Sequence, residues 1–144
     1  MIFKKRPEDF DKKIDVAGVF VEHEGQFILL HRQDHKPQGN TWGAPAGKVE
    51  VGETPTEAMV REIKEEVGLC IKDTDLKFID TYYVRHEGRD ILYHQFHLIL
   101  KVKPEIKHSP KEHKDFMWVK PVDALKMDLI HDEDMCIKWV YGME

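Results

Sequence analysis

Apolar and β-branched residues dominate from Ile14 to Glu22 (IDVAGVFVE), and the same character resumes after Glu24-Gly25 from Gln26 to Arg32 (QFILLHR). Two runs of this kind around a turn predict a strand hairpin. A polar loop, Gln33 to Thr41, and a short segment, Trp42 to Ala46, follow. The period then changes. Met59, Val60, Ile63 and Val67 recur at helical spacing, with Lys64 and Glu57 pointing away. Thr54 is a good N-cap, Pro55 suits the first helical position, Glu57 completes a Thr-x-x-Glu capping box, and Gly68 is a natural stop.

Downstream, Leu76–Arg85 (LKFIDTYYVR) and Asp90–Val102 (DILYHQFHLILKV) predict two long antiparallel strands around the turn HEGR, the more apolar second one central. Pro104–Lys114 is a polar connection, Phe116–Val119 a last strand, Pro121–Met127 a short helix, and Asp132–Tyr141 a helix. Residues 1–13 form either a loose arm or a short edge element. Strands mixed with two substantial helices predict an α/β fold, a sheet covered by helices on both faces. With no repeats or linkers in its 144 residues, the chain is expected to be one domain, 1–144.

Net charge is −5, which leaves no general basic field for a nucleic-acid polymer. The two cysteines, Cys70 and Cys136, are too few and too far apart for a disulfide framework or a CxxC metal site. The charged N-terminus lacks the apolar core of a signal peptide and no run is long enough to span a membrane, so a cytoplasmic protein is expected. Nine histidines invite a zinc site, yet His94 and His97, three apart on a predicted strand, point to opposite faces.

The chemistry concentrates at Gly47–Leu69. On the predicted helix Glu62, Glu65 and Glu66 stand at i, i+3 and i+4 and share one face, with Ala58 beside them. Three carboxylates so placed repel one another unless a cation lies between them, and hard divalent cations favour such oxygen ligands. An acidic helix face alone is ordinarily just solvated. Here the whole pattern Gly47-x5-Glu53-x7-Arg61-Glu62-Ile63-x-Glu65-Glu66-x-Gly68-Leu69 is present. It resembles, position for position, the signature of the Nudix (MutT-type) hydrolases. The preceding hairpin, Trp42-x-x-Pro45-x-Gly47 and the late strand with Trp118 extend the resemblance over most of the chain.

The resemblance implies a Nudix-like α/β/α sandwich with a mixed sheet and a hydrolase of nucleoside diphosphate derivatives that uses Mg²⁺ or Mn²⁺. It implies Glu62, Glu65 and Glu66 as metal ligands, with the Gly47 carbonyl as a further oxygen. Glu53 and Arg61 would form the ion pair that holds the loop against the helix. A glutamate outside the motif often adds a ligand or acts as base, and Glu112 is the candidate. The expected partner is a small nucleotide, and the chain acts alone or as a homodimer.

The proline that many ADP-ribose-type members carry some sixteen residues after the motif is absent. Tyr82 and Tyr83 come too early for the tyrosine of dinucleoside-polyphosphate members, and the cysteine motif of isopentenyl diphosphate isomerases is missing. A nucleoside-triphosphate pyrophosphohydrolase releasing NMP and pyrophosphate is therefore the leading expectation. The alternatives are a nucleotide-sugar or dinucleoside-polyphosphate hydrolase, a nucleotide-sensing module without catalysis and, more weakly, a structural Ca²⁺ protein. Trp42, Tyr82, Tyr83 and Phe96 could stack on a base but are more often core in strands. Gln33–Thr41 is the loop expected to touch substrate.

Overall fold

A computed structural model describes every residue from Met1 to Glu144. Its organising strand is β2 (Lys12–His23), which leads through the Glu24-Gly25 turn into β3 (Gln26–Arg32). The predicted hairpin exists, but it opens at once: only Glu22↔Phe27 and His23↔Gln26 pair. Other strands claim the edges. β2 runs parallel to β7 (Arg89–Ile99) and takes β5 (Ala46–Lys48) antiparallel on its other side. β3 pairs instead with β8 (His113–Val119) and with β4 (Trp42–Gly43). β6 (Lys77–His86) flanks β7, which is central as expected, and β1 (Ile2–Phe3) adds a short edge to β6. The sheet is mixed.

Alternation along β2 and β3 sends side chains to two cores. Ala17, Val19, Val21, Ile28 and Leu30 pack under Met59, Ile63 and Val67 of α1 (Pro55–Val67). Phe20, Phe27 and Leu29 turn the other way, towards Ala124 of α2 (Pro121–Ala124) and Cys136 and Ile137 of α3 (Glu133–Tyr141). The α/β/α sandwich is what the pattern predicted. Two details differ. Val60 is only half-buried, whereas Ala58, expected beside the carboxylates, is fully buried. The helix is thus seated on the side from which Glu62 also points inwards.

The ends of α1 follow its sequence. Thr54 Oγ1 accepts the Glu57 N–H at 3.1 Å, and Glu57 Oε1 accepts the Thr54 N–H at 2.9 Å. Such a cap stabilises a helix by about 1 kcal/mol. Gly68, at φ 76°, closes the other end with its N–H on the Lys64 carbonyl. Cys70 is exposed and Cys136 buried, both as free thiols. No helix is long and apolar enough to cross a membrane.

Candidate active site

α1 and the β5 loop face each other across the motif. Gly47 lies against Glu62 so closely that a Cβ there would sit 2.1 Å from the Glu62 Cδ. One residue earlier, the Ala46 N–H donates to Glu66 Oε2 at 3.2 Å. The absence of a side chain at Gly47 lets the loop backbone meet the carboxylates directly.

Arg61 is the hub. Its Nε and Nη2 donate to the two oxygens of Glu53 at 2.8 and 2.9 Å, a bidentate pair, and Nη2 also donates to the Lys48 carbonyl at 3.0 Å. Its Nη1 reaches Glu62 at 2.7 Å and Glu65 at 3.3 Å. So the cation between two of the three carboxylates is, in this structure, a guanidinium. The hydrogen bonds from Arg61, helped by the Glu50 N–H, hold the Glu53 carboxyl down at about 2.

Glu62 and Glu66 behave oppositely. Burial raises the proton affinity of both, and for Glu66 the neighbouring Glu62 charge adds to it. The two carboxyls are close enough to share a hydrogen bond. Glu65 is more than half exposed.

No three histidine, cysteine, aspartate or glutamate side chains converge into a ready ligand set. The donor chemistry nonetheless fits a hard divalent cation. Two half-buried carboxyls whose proton affinity is raised form a site short of positive charge, with an exposed third carboxylate and a loop carbonyl at its edge. Both histidines weighed for zinc bond to carboxylates here. His94 bonds to Asp15 at 2.9 Å, and His97 bonds to Glu22 at 2.8 Å.

Gly47, Glu62, Glu65 and Glu66 line a cleft of about 720 Å³. Glu112 lines it too, and its charge further raises the proton affinity of Glu66. Glu112 is half-exposed and bridged by Lys36 Nζ at 3.3 Å. The structure also brings in Arg32, Lys48 and Ser109, which sequence reasoning did not single out. Lys48 follows Gly47 directly, so a search for cations beside the motif would have found it, whereas Arg32, at the end of β3, is brought to the cleft only by the fold. Two bonds anchor the Gln33–Thr41 loop beside the cleft: the Gln33 side chain donates to the Pro110 carbonyl at 2.8 Å, and Arg32 Nε to the Pro37 carbonyl at 2.8 Å.

Of the aromatic candidates, Tyr82 and Phe96 are core. Tyr83 packs edge-on to Phe10, and Trp42 stacks on His31 at 4.3 Å.

A mixed sheet between helices, with an arginine-centred acidic loop and helix opening on a cleft, defines a class. The NUDIX domain model matches residues 12–140, and the chain belongs to the NUDIX family of hydrolases. The CTP pyrophosphohydrolase of Escherichia coli (strain K12) is 30% identical over 120 residues, covering 82% of this chain and 84% of that protein. The MutT NUDIX hydrolase from Burkholderia pseudomallei superposes with a TM-score of 0.77 at 22% identity, over 90% of this chain and 99% of that one. The NUDIX domain of Shewanella oneidensis NrtR, solved with ADP ribose, gives 0.78 at 15% identity, over 96% and 92%. At these identities the two structures speak for the fold alone.

Proposed function

We propose that the chain is a nucleoside-triphosphate pyrophosphohydrolase: water attacks a phosphorus of the triphosphate, and NMP and pyrophosphate are released. The observation that carries this reading is the half-buried Glu62–Glu66 carboxyl pair on a cleft that Arg32 and Lys48 also line. Likeness to a CTP pyrophosphohydrolase over most of both chains supports it.

Glu62, Glu65 and Glu66, with the Gly47 carbonyl, would hold Mg²⁺ or Mn²⁺. When bound, such an ion neutralises phosphate charge and lowers the pKa of water. The protein's own groups do the rest. The Ala46 N–H orients Glu66, while Arg61 fixes Glu53 and through it the loop. Arg32 and Lys48 supply positive charge for the phosphates. Glu112, on the same cleft and half-exposed, is the candidate to accept a proton from the attacking water. Residues 1–144 act as one domain in this reading, because both cores share one sheet.

The test is a panel of nucleoside triphosphates with Mg²⁺, read by product analysis, for the wild type, Glu65→Gln and Glu66→Gln. The reading expects NMP and pyrophosphate, with a loss of at least about a hundredfold in each variant. Undiminished turnover in both would remove the carboxylates from the mechanism.

A further inference from the structure

Two loops from distant parts of the chain meet beside the acidic cleft, and several bonds fasten them together. The Gln33 N–H donates to the Glu112 carbonyl at 3.1 Å, and the Gln33 side chain to the Pro110 carbonyl. Lys114 Nζ donates to Asp34 Oδ1 at 2.5 Å and also to Asn40 Oδ1. Glu112 itself sits in a turn, its N–H donating to the Ser109 carbonyl at 3.2 Å. The last tie joins two side chains: Lys36 Nζ donates to Glu112 Oε1 at 3.3 Å.

That pair straddles the edge of the cleft. Glu112 lines it beside Glu62, Glu65 and Glu66, whereas Lys36 stands outside. Carboxylates gathered round one cleft repel one another, and the Glu112 charge already weighs on Glu66. A glutamate side chain that is 45% exposed also gains rotamer freedom by swinging into solvent. Both effects drive Glu112 away from the cleft. Lys36 is the one cation bonded to it and, at 29% exposed, is the more confined of the two. Its bond occupies Oε1 and leaves Oε2 without a protein partner. An ion pair this open to solvent is weak as a charge interaction. A base displaced by about 1 Å, by contrast, loses around a hundredfold in rate. Position is therefore what the pair can deliver.

We propose that Lys36 is a positioning residue for hydrolysis: it holds Glu112 by Oε1 at the cleft edge and leaves Oε2 to act as base. The inference rests on the nucleotide-hydrolase reading above. In the step it serves, water gives a proton to Oε2 while its oxygen bonds to phosphorus. The bond from that phosphorus to the bridging oxygen breaks, and the electron pair leaves with the oxygen. Lys36 touches neither water nor substrate. The place of the base is thus set by a loop 76 residues away in the chain.

The experiment compares the wild type with Lys36→Met, Lys36→Arg, Glu112→Gln, the double variant Lys36→Met/Glu112→Gln and Lys114→Met, each first checked for a cooperative thermal melt. KM and kcat are measured with Mg²⁺ and CTP, UTP, ATP or GTP. The Lys36 Nζ resonance is followed by NMR in EDTA, without nucleotide. Lys36→Met is expected to lower kcat about tenfold with KM within about twofold. Lys36→Arg, which can still donate to Oε1, should stay within about threefold of the wild type. Glu112→Gln should lose about a hundredfold in kcat, and adding Lys36→Met to it should cost nothing more. Lys114→Met loosens the same loops without touching Glu112 and should keep kcat within about twofold. The Nζ resonance should move on Glu112→Gln.

A Lys36→Met effect confined to KM would make Lys36 a substrate contact and overturn the proposal. So would an unchanged kcat in Lys36→Met or in Glu112→Gln, equal losses in Lys36→Met and Lys114→Met, or an Nζ resonance indifferent to Glu112→Gln. In each of these cases a wild type that still releases NMP and pyrophosphate leaves the hydrolase reading standing. A wild type that cleaves none of the four triphosphates would sink that reading, and the role of Lys36 with it.

Discussion

Gly47 and Glu62 are in contact: the glycine Cα and the carboxylate occupy space that no other residue at position 47 would leave. An added Cβ would stand 2.1 Å from Cδ, so either the loop or the glutamate must move. Gly47→Ala is therefore expected to lower hydrolysis by about a hundredfold, as displacements near 1 Å do at reacting centres. Steady-state kinetics beside a thermal melt checks this. A variant as active as the wild type would mean that the contact has no bearing on catalysis.

The Arg61–Glu53 pair carries a pH signature. Glu53 has a depressed folded-state pKa of about 2, caused first by Arg61, against an ordinary value of 4.5. Its contribution to stability is thus present above 4.5 and lost as pH falls from there through about 2. Arg61→Lys keeps a charge but not the planar fork. NMR titration of Glu53 should move back towards 4.5 in that variant, and activity should fall roughly tenfold. A Glu53 that still titrates near 2 would show that the fork is not the cause.

Glu66 carries the opposite sign. Its folded pKa is raised, so its favourable contribution is complete below the unfolded value and disappears as pH rises through the folded one. Above that, the metal-free protein holds a buried charge beside Glu62. Glu66→Gln should then melt higher than the wild type at alkaline pH in EDTA, by roughly 3 °C. Added Mg²⁺ should raise the wild-type melting temperature and leave the variant nearly unmoved. Identical melting curves and identical responses to Mg²⁺ would contradict this account.

His113, on β8, supplies a control far from the motif in sequence. Burial first, and then the Arg32 charge, lower its pKa to about 4 from 6.5. The unfolded chain binds the extra proton between these values, so stability falls as pH drops through that window, by up to roughly 3 kcal/mol. Denaturant melts of His113→Phe from pH 7 to pH 4 should show a flatter acid limb than the wild type. Parallel limbs would assign the acid loss to other groups.

What was legible in the chain was local. The capping box Thr54–Glu57, the stop at Gly68 and the turn at Glu24-Gly25 are written in consecutive residues, and the structure keeps all of them. The acidic face of α1 was legible for the same reason, since i, i+3 and i+4 already define a surface. Strand partnership was not: nothing local in QFILLHR says that β3 leaves β2 after two pairs and joins β8. The burial of Glu133 was also invisible, because an acid in the first turn of a helix is ordinary. It exists only once β4 brings Ala44 to it. Lys36 and Glu112 meet for a similar reason, through two loops far apart in the chain.

The parallel junction of β2 and β7 has a kinetic consequence. Ala17 meets His94, and Glu22 meets Ile99, across about half the chain, so the contacts that seat the central strand are highly non-local and slow to nucleate. α1 can coil early, with its caps in place and its carboxylates already in a row. The wall they face, β5, hangs on β2 through Val16, Ala17 and Gly18, and β2 is secured by β7. Cation affinity should thus appear late during refolding, well after helical signal, making ion binding a clock for the completion of the fold.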